Sequence, residues 1–255
     1  MEITMVNFVG AGCGAPDLIT VRGARLIAQA DVIIYAGSLV NPALLQSARQ
    51  GCEIYNSAQM TLDEVIEVMA QAERSGKTTV RLHTGDPCLY GAIREQMDRL
   101  DALGIAYEVC PGVSSFCGAA ASLRAEYTLP SISQTVIITR MAGRTPVPER
   151  ERIAALAAHG ATMVVFLSTG LLRGLSAALI QGGYAPDTPA AIVYKASWED
   201  EKICRCTVAE LAQSAADNGI TKTALICVGG FLGDSYQLSK LYDAAFETEF
   251  RKAKT

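Results

Sequence analysis

Short apolar runs alternate with amphipathic stretches along the first half of the chain. MVNFVG, VIIYAG, CEIYN, TTVRLH and AYEVCPG predict buried strands, and the stretches between them carry apolar residues at helical spacing. Thr61 and Glu64 form a capping-box pattern before one of these helices, and Gly76 follows its end. Because strands and helices alternate, we predict a mostly parallel sheet that is covered on both faces.

The second half has a different pattern. EYTLPSIS interrupts the alternation, and Pro130 ends any helix there. Further on, PAAIVYKA and EKICRCT are separated only by Trp198–Glu201, which is too short for a crossover helix and predicts antiparallel pairing. We therefore predict two α/β domains, residues 1–128 with a mostly parallel sheet and residues 134–255 with a mixed sheet. A cleft between them is the natural place for a ligand.

Composition and charge argue against several classes of partner. The 255 residues are 50% hydrophobic and 19% charged, with a formal net charge of −4. Basic residues are scattered, which argues against a nucleic-acid partner. No apolar stretch approaches the roughly 18–20 residues of a membrane helix, and the N-terminus lacks signal-peptide features, so we expect a cytoplasmic protein without a membrane partner. We expect the eight cysteines to be reduced and no metal to be bound, since His83 and His159 are the only imidazoles.

The stretch GAGCGAP, Gly10–Pro16, resembles a dinucleotide-binding loop after a strand. It fails two requirements of that loop. Its third glycine is Gly14, one position early, and Pro16 removes an amide donor. The next predicted strand ends at Tyr35–Ser38 without the acid that would hold a ribose, and Asp31 precedes that strand. We interpret the loop as a tight turn that lets other segments approach closely, rather than as a phosphate cradle.

Two other loops carry denser polar chemistry. HTGDPCLYG and CPGVSSF each follow a predicted strand, at the carboxyl end where α/β folds bind ligands. Asp86 could cap a turn or contact a ligand, and Ser114 or Ser115 could cap a helix or contact a ligand. Neither histidine has an evident nucleophile partner, and no G-x-S-x-G elbow is present. We therefore expect one shared site that positions a reactive ligand.

VGAGCGAPDLIT, HTGDPCLYG and CPGVSSFCGAAA, in this order, resemble the tetrapyrrole methyltransferases that use S-adenosylmethionine. YAGSLVNPALL, TLPSISQTVIITRMAGRTPVP and ATMVVFLSTG extend the resemblance over nearly the whole chain, towards the branch that acts on precorrin-4 in corrin synthesis. The resemblance implies a homodimer of two-domain α/β subunits, with the cofactor between the domains. It also implies methylation of carbon 11 of precorrin-4 or cobalt-precorrin-4.

The resemblance also implies site residues. Cys13 stands where relatives commonly have proline, and Ala15 replaces a common acidic residue, so the contacts of that loop stay open. Tyr90 and His83 are candidates for catalysis, although the proton-accepting group is not identified. Ser38, Arg140, Arg144 and Lys195 are candidates to bind the carboxylate-rich substrate. The implied cofactor contacts are Cys13, Thr84, Gly85, Asp86, Leu89, Tyr90, Ser114, Ser115, Leu167, Ala196, Thr223 and Ala224.

Several alternatives remain open at this point. The same fold could act on another precorrin or on uroporphyrinogen III, and the sequence does not decide whether the substrate carries cobalt. An NAD-dependent dehydrogenase is disfavoured by the missing acid at the strand end. A non-catalytic tetrapyrrole-binding protein is a third possibility.

Overall fold

The computed structural model describes residues 5–253, apart from the side chain of Ser38. The chain divides into two compact units. Unit 1 contains the residues up to Ala119 together with Lys195–Asp200, and unit 2 contains Ala120–Tyr194 and the residues from Glu201 onward. The predicted boundary at residues 128–134 therefore falls inside unit 2.

Unit 1 is built on a five-stranded sheet in which each pair of neighbouring strands is parallel, as predicted from the alternating pattern. The strand order is β3-β2-β4-β1-β5. The strands are β1 (Val6–Gly10), β2 (Val32–Tyr35), β3 (Glu53–Asn56), β4 (Thr79–His83) and β5 (Tyr107–Cys110). The α-helices are α1 (Val21–Gln29), α2 (Leu62–Arg74) and α3 (Ile93–Leu103), and α4 (Ser115–Leu123) begins in this unit and continues past its last residue, Ala119.

Apolar side chains cover both faces of this sheet. Phe8 and Ile34 pack with Met69 of α2 on one face, while Ile33 and Leu82 belong to a second cluster on the other. The predicted start of α2 is confirmed. The Thr61 backbone donates to the Glu64 carboxylate at 2.7 Å, and the Glu64 amide donates to the Thr61 hydroxyl at 3.3 Å.

Unit 2 contains a mixed five-stranded sheet with the order β6-β7-β10-β8-β9. β6 and β7 are parallel, and the other neighbouring strands are antiparallel, including the predicted β8–β9 pair. The strands are β6 (Val136–Arg140), β7 (Thr162–Phe166), β8 (Pro189–Tyr194), β9 (Lys202–Thr207) and β10 (Ala224–Val228). The α-helices are α5 (Ile153–Ala157), α6 (Leu172–Gln181) and α7 (Leu211–Asp217).

Residues 120–134 belong to unit 2 because their contacts lie there. The Thr162 hydroxyl donates to the Tyr127 carbonyl at 2.8 Å, and the rings of Tyr127 and Phe231 lie 5.1 Å apart in an edge-on arrangement. The Arg205 guanidinium donates to the Leu123 carbonyl at 2.7 Å. Helix α4 already ends at Leu123, seven residues before Pro130, and the division between the units also comes earlier in the chain than the predicted boundary.

The eight cysteines are free thiols. Cys204 and Cys206 share one face of β9, where Cys204 is part of the unit 2 core. Among the described residues, no helix is both long enough and apolar enough to cross a membrane.

Replacing Thr162 tests the assignment of residues 120–134 to unit 2. Thr162→Val removes the donor to the Tyr127 carbonyl in a buried position. We expect it to lower the free energy of unfolding in urea by about 1–3 kcal/mol, the usual penalty for losing a buried hydrogen-bond partner. Thr162→Ser keeps the hydroxyl and serves as the control. Equal stability of the two variants would contradict the assigned contact.

Candidate functional site

Three glycine backbones meet at the carboxyl edge of the unit 1 sheet. Gly10 ends β1, Gly85 follows β4 and Gly112 follows β5. A Cβ atom on Gly112 would lie 2.2 Å from the Gly85 carbonyl oxygen, and one on Gly10 would lie 2.6 Å from Gly112 Cα. Backbone atoms cannot yield at such distances, so the close approach requires glycine. This confirms the interpretation of the glycine loop as a point of close chain approach.

Three amides of the glycine loop already have partners. The Ala11 amide donates to the His83 carbonyl at 2.7 Å, and the Gly12 amide donates to the Gly85 carbonyl at 3.2 Å. The Ala15 amide donates to the Ser197 hydroxyl at 3.0 Å. Pro16 opens a three-residue 3-10 helix rather than an α-helix. These three amides are not open to a phosphate, and no α-helix starts at the end of the loop to hold one.

The segment Lys195–Asp200 backs this loop within unit 1. A Cβ atom on Gly14 would lie 2.3 Å from Trp198 Cδ1, and Cys13 Sγ lies 3.3 Å from Ser197 Oγ. The Lys195 ammonium pairs with the Asp200 carboxylate at 2.6 Å and lies 5.2 Å from the centre of the Trp198 ring. The contacts of Ser197 and Trp198 could not be predicted from a stretch that the sequence marks only as a turn.

Asp86 joins the two polar loops. Its carboxylate accepts from the Cys88 amide at 2.8 Å and from the Gly112 amide at 2.9 Å. A Cβ atom on Gly85 would lie 3.5 Å from both Ser114 Cα and the Ser115 amide nitrogen. The structure thus brings Gly85, Asp86, Ser114 and Ser115 together, as the two strand-end loops predicted.

The hydrogen bonds of Asp86 also set its charge. Partial burial alone would raise the pKa of the Asp86 carboxyl. Hydrogen bonds from the side chain and backbone of Cys88 and from the Gly112 amide outweigh burial, and the pKa is lowered. The loop therefore presents a carboxylate at neutral pH.

His83 is buried at the end of β4, with only 4% of its surface exposed. Burial, followed by the nearby positive charge of Arg81, lowers the pKa of His83 to about 3. The imidazole is therefore neutral at physiological pH, and its Nε2 atom has no hydrogen-bond partner among the described residues. Such a weak base is a poor proton acceptor at neutral pH, which disfavours His83 as the catalytic base.

The predicted cofactor contacts in unit 2 lie at one edge of its sheet. Leu167 directly follows β7, and Thr223 directly precedes Ala224 at the start of β10. Because β7 and β10 are antiparallel, these two strand ends are neighbours. The Thr169 hydroxyl connects them further, since it lies 3.1 Å from the Ala224 carbonyl oxygen and 3.3 Å from the Ala224 amide nitrogen. This role of Thr169 could not be predicted from the sequence.

The two candidate arginines of unit 2 differ in their surroundings. Arg140 donates to the Met141 and Thr145 carbonyls at 3.2 Å and to the Pro146 carbonyl at 2.8 Å, so its guanidinium shapes the loop that follows β6. Arg144 is exposed in that same loop. The side chain of Ser38, the remaining substrate candidate, lies outside the described part of the structure.

A family model described as Tetrapyrrole (Corrin/Porphyrin) Methylases matches residues 5–212, most of the chain. The chain belongs to this methylase family. The match covers both the glycine loop and the two strand-end loops described above.

Individual relatives agree with the methylase family assignment. The cobalt-precorrin-4 C(11)-methyltransferase of Methanocaldococcus jannaschii is 55% identical over 249 residues, which cover 97% of this chain and 96% of the relative. A solved structure of a cobalt-precorrin-4 methyltransferase superimposes with a TM-score of 0.88 at 47% identity, covering 90% of this chain and 96% of that one. The uroporphyrin-III C-methyltransferase of Thermus thermophilus, complexed with S-adenosylhomocysteine, gives a TM-score of 0.73 at 25% identity, with 89% and 93% covered.

Backbone strain coincides with several residues that the methylase resemblance implicates. Tyr90, Leu167, Lys195 and Thr223 all have left-handed φ angles, between 47° and 58°. Each such conformation costs about 1–3 kcal/mol for a residue other than glycine and recurs at ligand sites. This strain supports a functional role for these positions and was not visible in the sequence.

Sequence reasoning missed a buried polar stripe on β4. Thr79, Arg81 and His83 occupy one face of this central strand and are all buried. A parallel strand covered on both sides is normally apolar throughout. The alternating polar positions in TTVRLH were therefore the signal that could have identified Arg81.

The buried imidazole predicts a pH dependence of stability. The folded-state pKa of His83, about 3, lies below the unfolded value near 6.5, so the unfolded chain binds an extra proton between these pH values. Stability is then present above about pH 6.5 and falls as the pH drops towards the folded pKa. We expect the wild type to lose about 2 kcal/mol more than His83→Gln between about pH 7 and about pH 5 in urea unfolding.

His159→Gln, which removes the exposed imidazole, controls for the loss of a histidine. Parallel pH profiles for the wild type and His83→Gln would contradict the assigned burial of a neutral imidazole.

Proposed function

We propose that this protein is an S-adenosylmethionine-dependent methyltransferase that methylates carbon 11 of precorrin-4 or cobalt-precorrin-4 in cobalamin biosynthesis. The observation that carries the proposal is the 55% identity, over 97% of the chain, to a cobalt-precorrin-4 C(11)-methyltransferase. The product is precorrin-5 or its cobalt form. The assembly of the two polar strand-end loops around Gly85 and Asp86 supports a ligand site at the edge of the unit 1 sheet.

The residues present fit this cofactor. S-adenosylmethionine carries ribose hydroxyls, an ammonium group and a carboxylate, all of which need polar partners. Thr84 has a buried hydroxyl oxygen without a hydrogen-bond partner among the described residues. Asp86 is ionised, and a carboxylate has more lone-pair positions than the two amides it accepts from. We therefore propose that these residues hold the cofactor together with Gly85, Leu89, Ser114 and Ser115.

The other cofactor contacts stay predictions from the family resemblance. They are Cys13, Tyr90, Leu167, Ala196, Thr223 and Ala224. The left-handed backbone of Tyr90, Leu167 and Thr223 supports three of them.

When bound, the cofactor supplies a sulfonium methyl group that a nucleophilic ring carbon of the substrate can accept. The protein's task is then to orient the reactants. Asp86 fixes the loop of residues 84–92 to the Gly112 backbone, and its negative charge favours a cationic ligand. Neutral His83 adds no competing positive charge. Orientation of this kind can contribute roughly 7–11 kcal/mol in favourable cases, without any nucleophile from the protein.

The surroundings of the candidate arginines support different roles for them. Precorrin-4 bears several carboxylates, which arginine side chains recognise well. Arg140 donates to three backbone carbonyls, whereas Arg144 is exposed in the loop that Arg140 shapes. We propose that Arg144 binds a substrate carboxylate and that Arg140 holds the loop. Lys195 stays a further candidate from the family resemblance, and its ammonium pairs with the Asp200 carboxylate.

A second substrate class remains as an alternative. The Thermus thermophilus relative acts on uroporphyrin III, but it is only 25% identical to this chain. The higher identity to the precorrin-4 enzymes favours precorrin-4. The homodimer and the cytoplasmic location are further predictions from the family and from composition.

The substrate is tested directly by product analysis. The protein is incubated with S-adenosylmethionine carrying a ¹³C-methyl group and, separately, with precorrin-4, cobalt-precorrin-4 and uroporphyrinogen III. We expect NMR to locate the new methyl group on carbon 11 of a precorrin-4 form, and the two precorrin arms decide whether cobalt is needed. Methylation of uroporphyrinogen III alone, or at another carbon, would overturn the proposal.

Asp86→Ala tests the cofactor site. Isothermal titration calorimetry with S-adenosylhomocysteine should give a dissociation constant raised at least about tenfold, since a charge-assisted contact contributes about 1.5–3 kcal/mol. Asp31→Ala is the matched control, because Asp31 also accepts from a backbone amide, that of Thr78 at 2.8 Å, but precedes β2. Wild-type affinity of Asp86→Ala would refute the cofactor assignment.

A further inference from the structure

Arg81 is a buried charge without a carboxylate partner. It lies in the middle of β4, is 6% exposed, and forms no ion pair with a carboxylate among the described residues. Burial lowers the pKa of its guanidinium to about 10, so it stays protonated at neutral pH. Removing a guanidinium from water is costly unless hydrogen bonds offset the loss. The groups that Arg81 bonds to therefore indicate what the charge is used for.

These hydrogen bonds form a chain across unit 1. Arg81 donates to the Ile34 carbonyl of β2 at 3.1 Å and, through Nε, to Gln96 Oε1 at 3.0 Å. Gln96, itself 5% exposed, donates through Nε2 to the Ala92 carbonyl at 3.0 Å. Arg81 fixes which end of the Gln96 amide faces Ala92, because a guanidinium can bond only to its oxygen. We call Arg81 and Gln96 the brace.

The hydrogen bond from Gln96 connects the brace to the last residues of the loop 84–92, where the backbone is strained. Tyr90 and Ala92 have φ angles of 58° and 50°, which residues with a Cβ atom rarely adopt. A Cβ atom on Gly91 would lie 2.2 Å from the Pro87 carbonyl oxygen. Ala92 is the residue before α3 and offers no side-chain cap. The brace therefore bonds directly to this strained end of the loop, whereas Asp86 holds the start of the loop.

We infer that Arg81 and Gln96 are positioning residues that hold the Tyr90–Ala92 end of this loop in the geometry that binds the cofactor. The inference rests on the proposed function for the role of the loop. Neither residue contacts the ligand in this scheme. They act through the Ala92 carbonyl, and the buried charge of Arg81 is retained because it orients Gln96.

Gln96→Glu separates positioning from core stability. A carboxylate keeps an acceptor for Arg81 and gives the buried guanidinium an ionic partner, so the core contact survives. The same carboxylate cannot donate to the Ala92 carbonyl and repels it. Gln71→Glu is the matched control, because exposed Gln71 of α2 also accepts from an arginine, Arg74, at 2.8 Å.

We expect Gln96→Glu to keep its thermal unfolding midpoint within a few degrees of the wild type. Hydrogen–deuterium exchange at residues 84–92 should become faster. The dissociation constant of S-adenosylhomocysteine and the KM for S-adenosylmethionine should rise about tenfold, while the KM for the tetrapyrrole stays unchanged. About tenfold corresponds to the loss of one buried hydrogen bond. Gln71→Glu should match the wild type in all five measurements.

Each other outcome overturns the inference. An unfolding midpoint of Gln96→Glu far below that of the wild type would show that Gln96 only stabilises the core. Unchanged exchange, or unchanged affinity in a folded variant, shows that the brace does not position the loop for the cofactor. If the wild-type protein binds no S-adenosylhomocysteine, the proposed function itself fails. In that case the exchange measurement still tests the brace, because unchanged exchange at residues 84–92 in Gln96→Glu would show that the brace does not anchor the loop.

Discussion

The site of unit 1 depends on one steric constraint, the contact of three backbones at Gly10, Gly85 and Gly112. A methyl group at Gly10 or Gly112 would overlap a neighbouring backbone atom. With no side chains between them, the ends of β1, β4 and β5 approach closely enough for Asp86 to reach the Gly112 amide. The polar groups that we assign to the cofactor follow from this contact, since it brings the loop after β4 beside the start of α4. Glycine is required at these positions because it has no side chain.

Around this contact, the structure contains features that lower the stability of the fold but hold the loop of residues 84–92 in one conformation. The loop of residues 84–92 contains left-handed residues at Tyr90 and Ala92, and the core beneath it contains an ionised arginine. Both features cost free energy, and neither is needed to close a hydrophobic core. A sheet that only had to be stable would place apolar side chains along β4. The polar stripe on this strand is understandable when the loop above it has to be held in one conformation.

Much of this could be predicted from the sequence. The alternating runs predicted the parallel sheet, Thr61 and Glu64 predicted the start of α2, and the short Trp198–Glu201 turn predicted the antiparallel β8–β9 pair. The motifs at the strand ends predicted that the loops carrying Asp86 and Ser114 would come together, since such loops converge in parallel sheets. The rest depends on contacts between distant residues. Tyr127 joins unit 2 through Thr162, and Arg81 reaches Ala92 through Gln96, and no local pattern encodes either contact.

The segment Lys195–Asp200 has a consequence for how the molecule is made. Its residues complete unit 1, yet Ser197 lies 184 positions along the chain from the Cys13 that it contacts. During synthesis, the five strands of unit 1 emerge long before the segment that backs their glycine loop. Gly14 of the N-terminal glycine loop therefore lacks its contact with Trp198 until β8 and the segment after it have been translated. A fragment ending at Ala119 would carry the whole sheet but would lack Trp198, so the point at which unit 1 is complete is set late in translation.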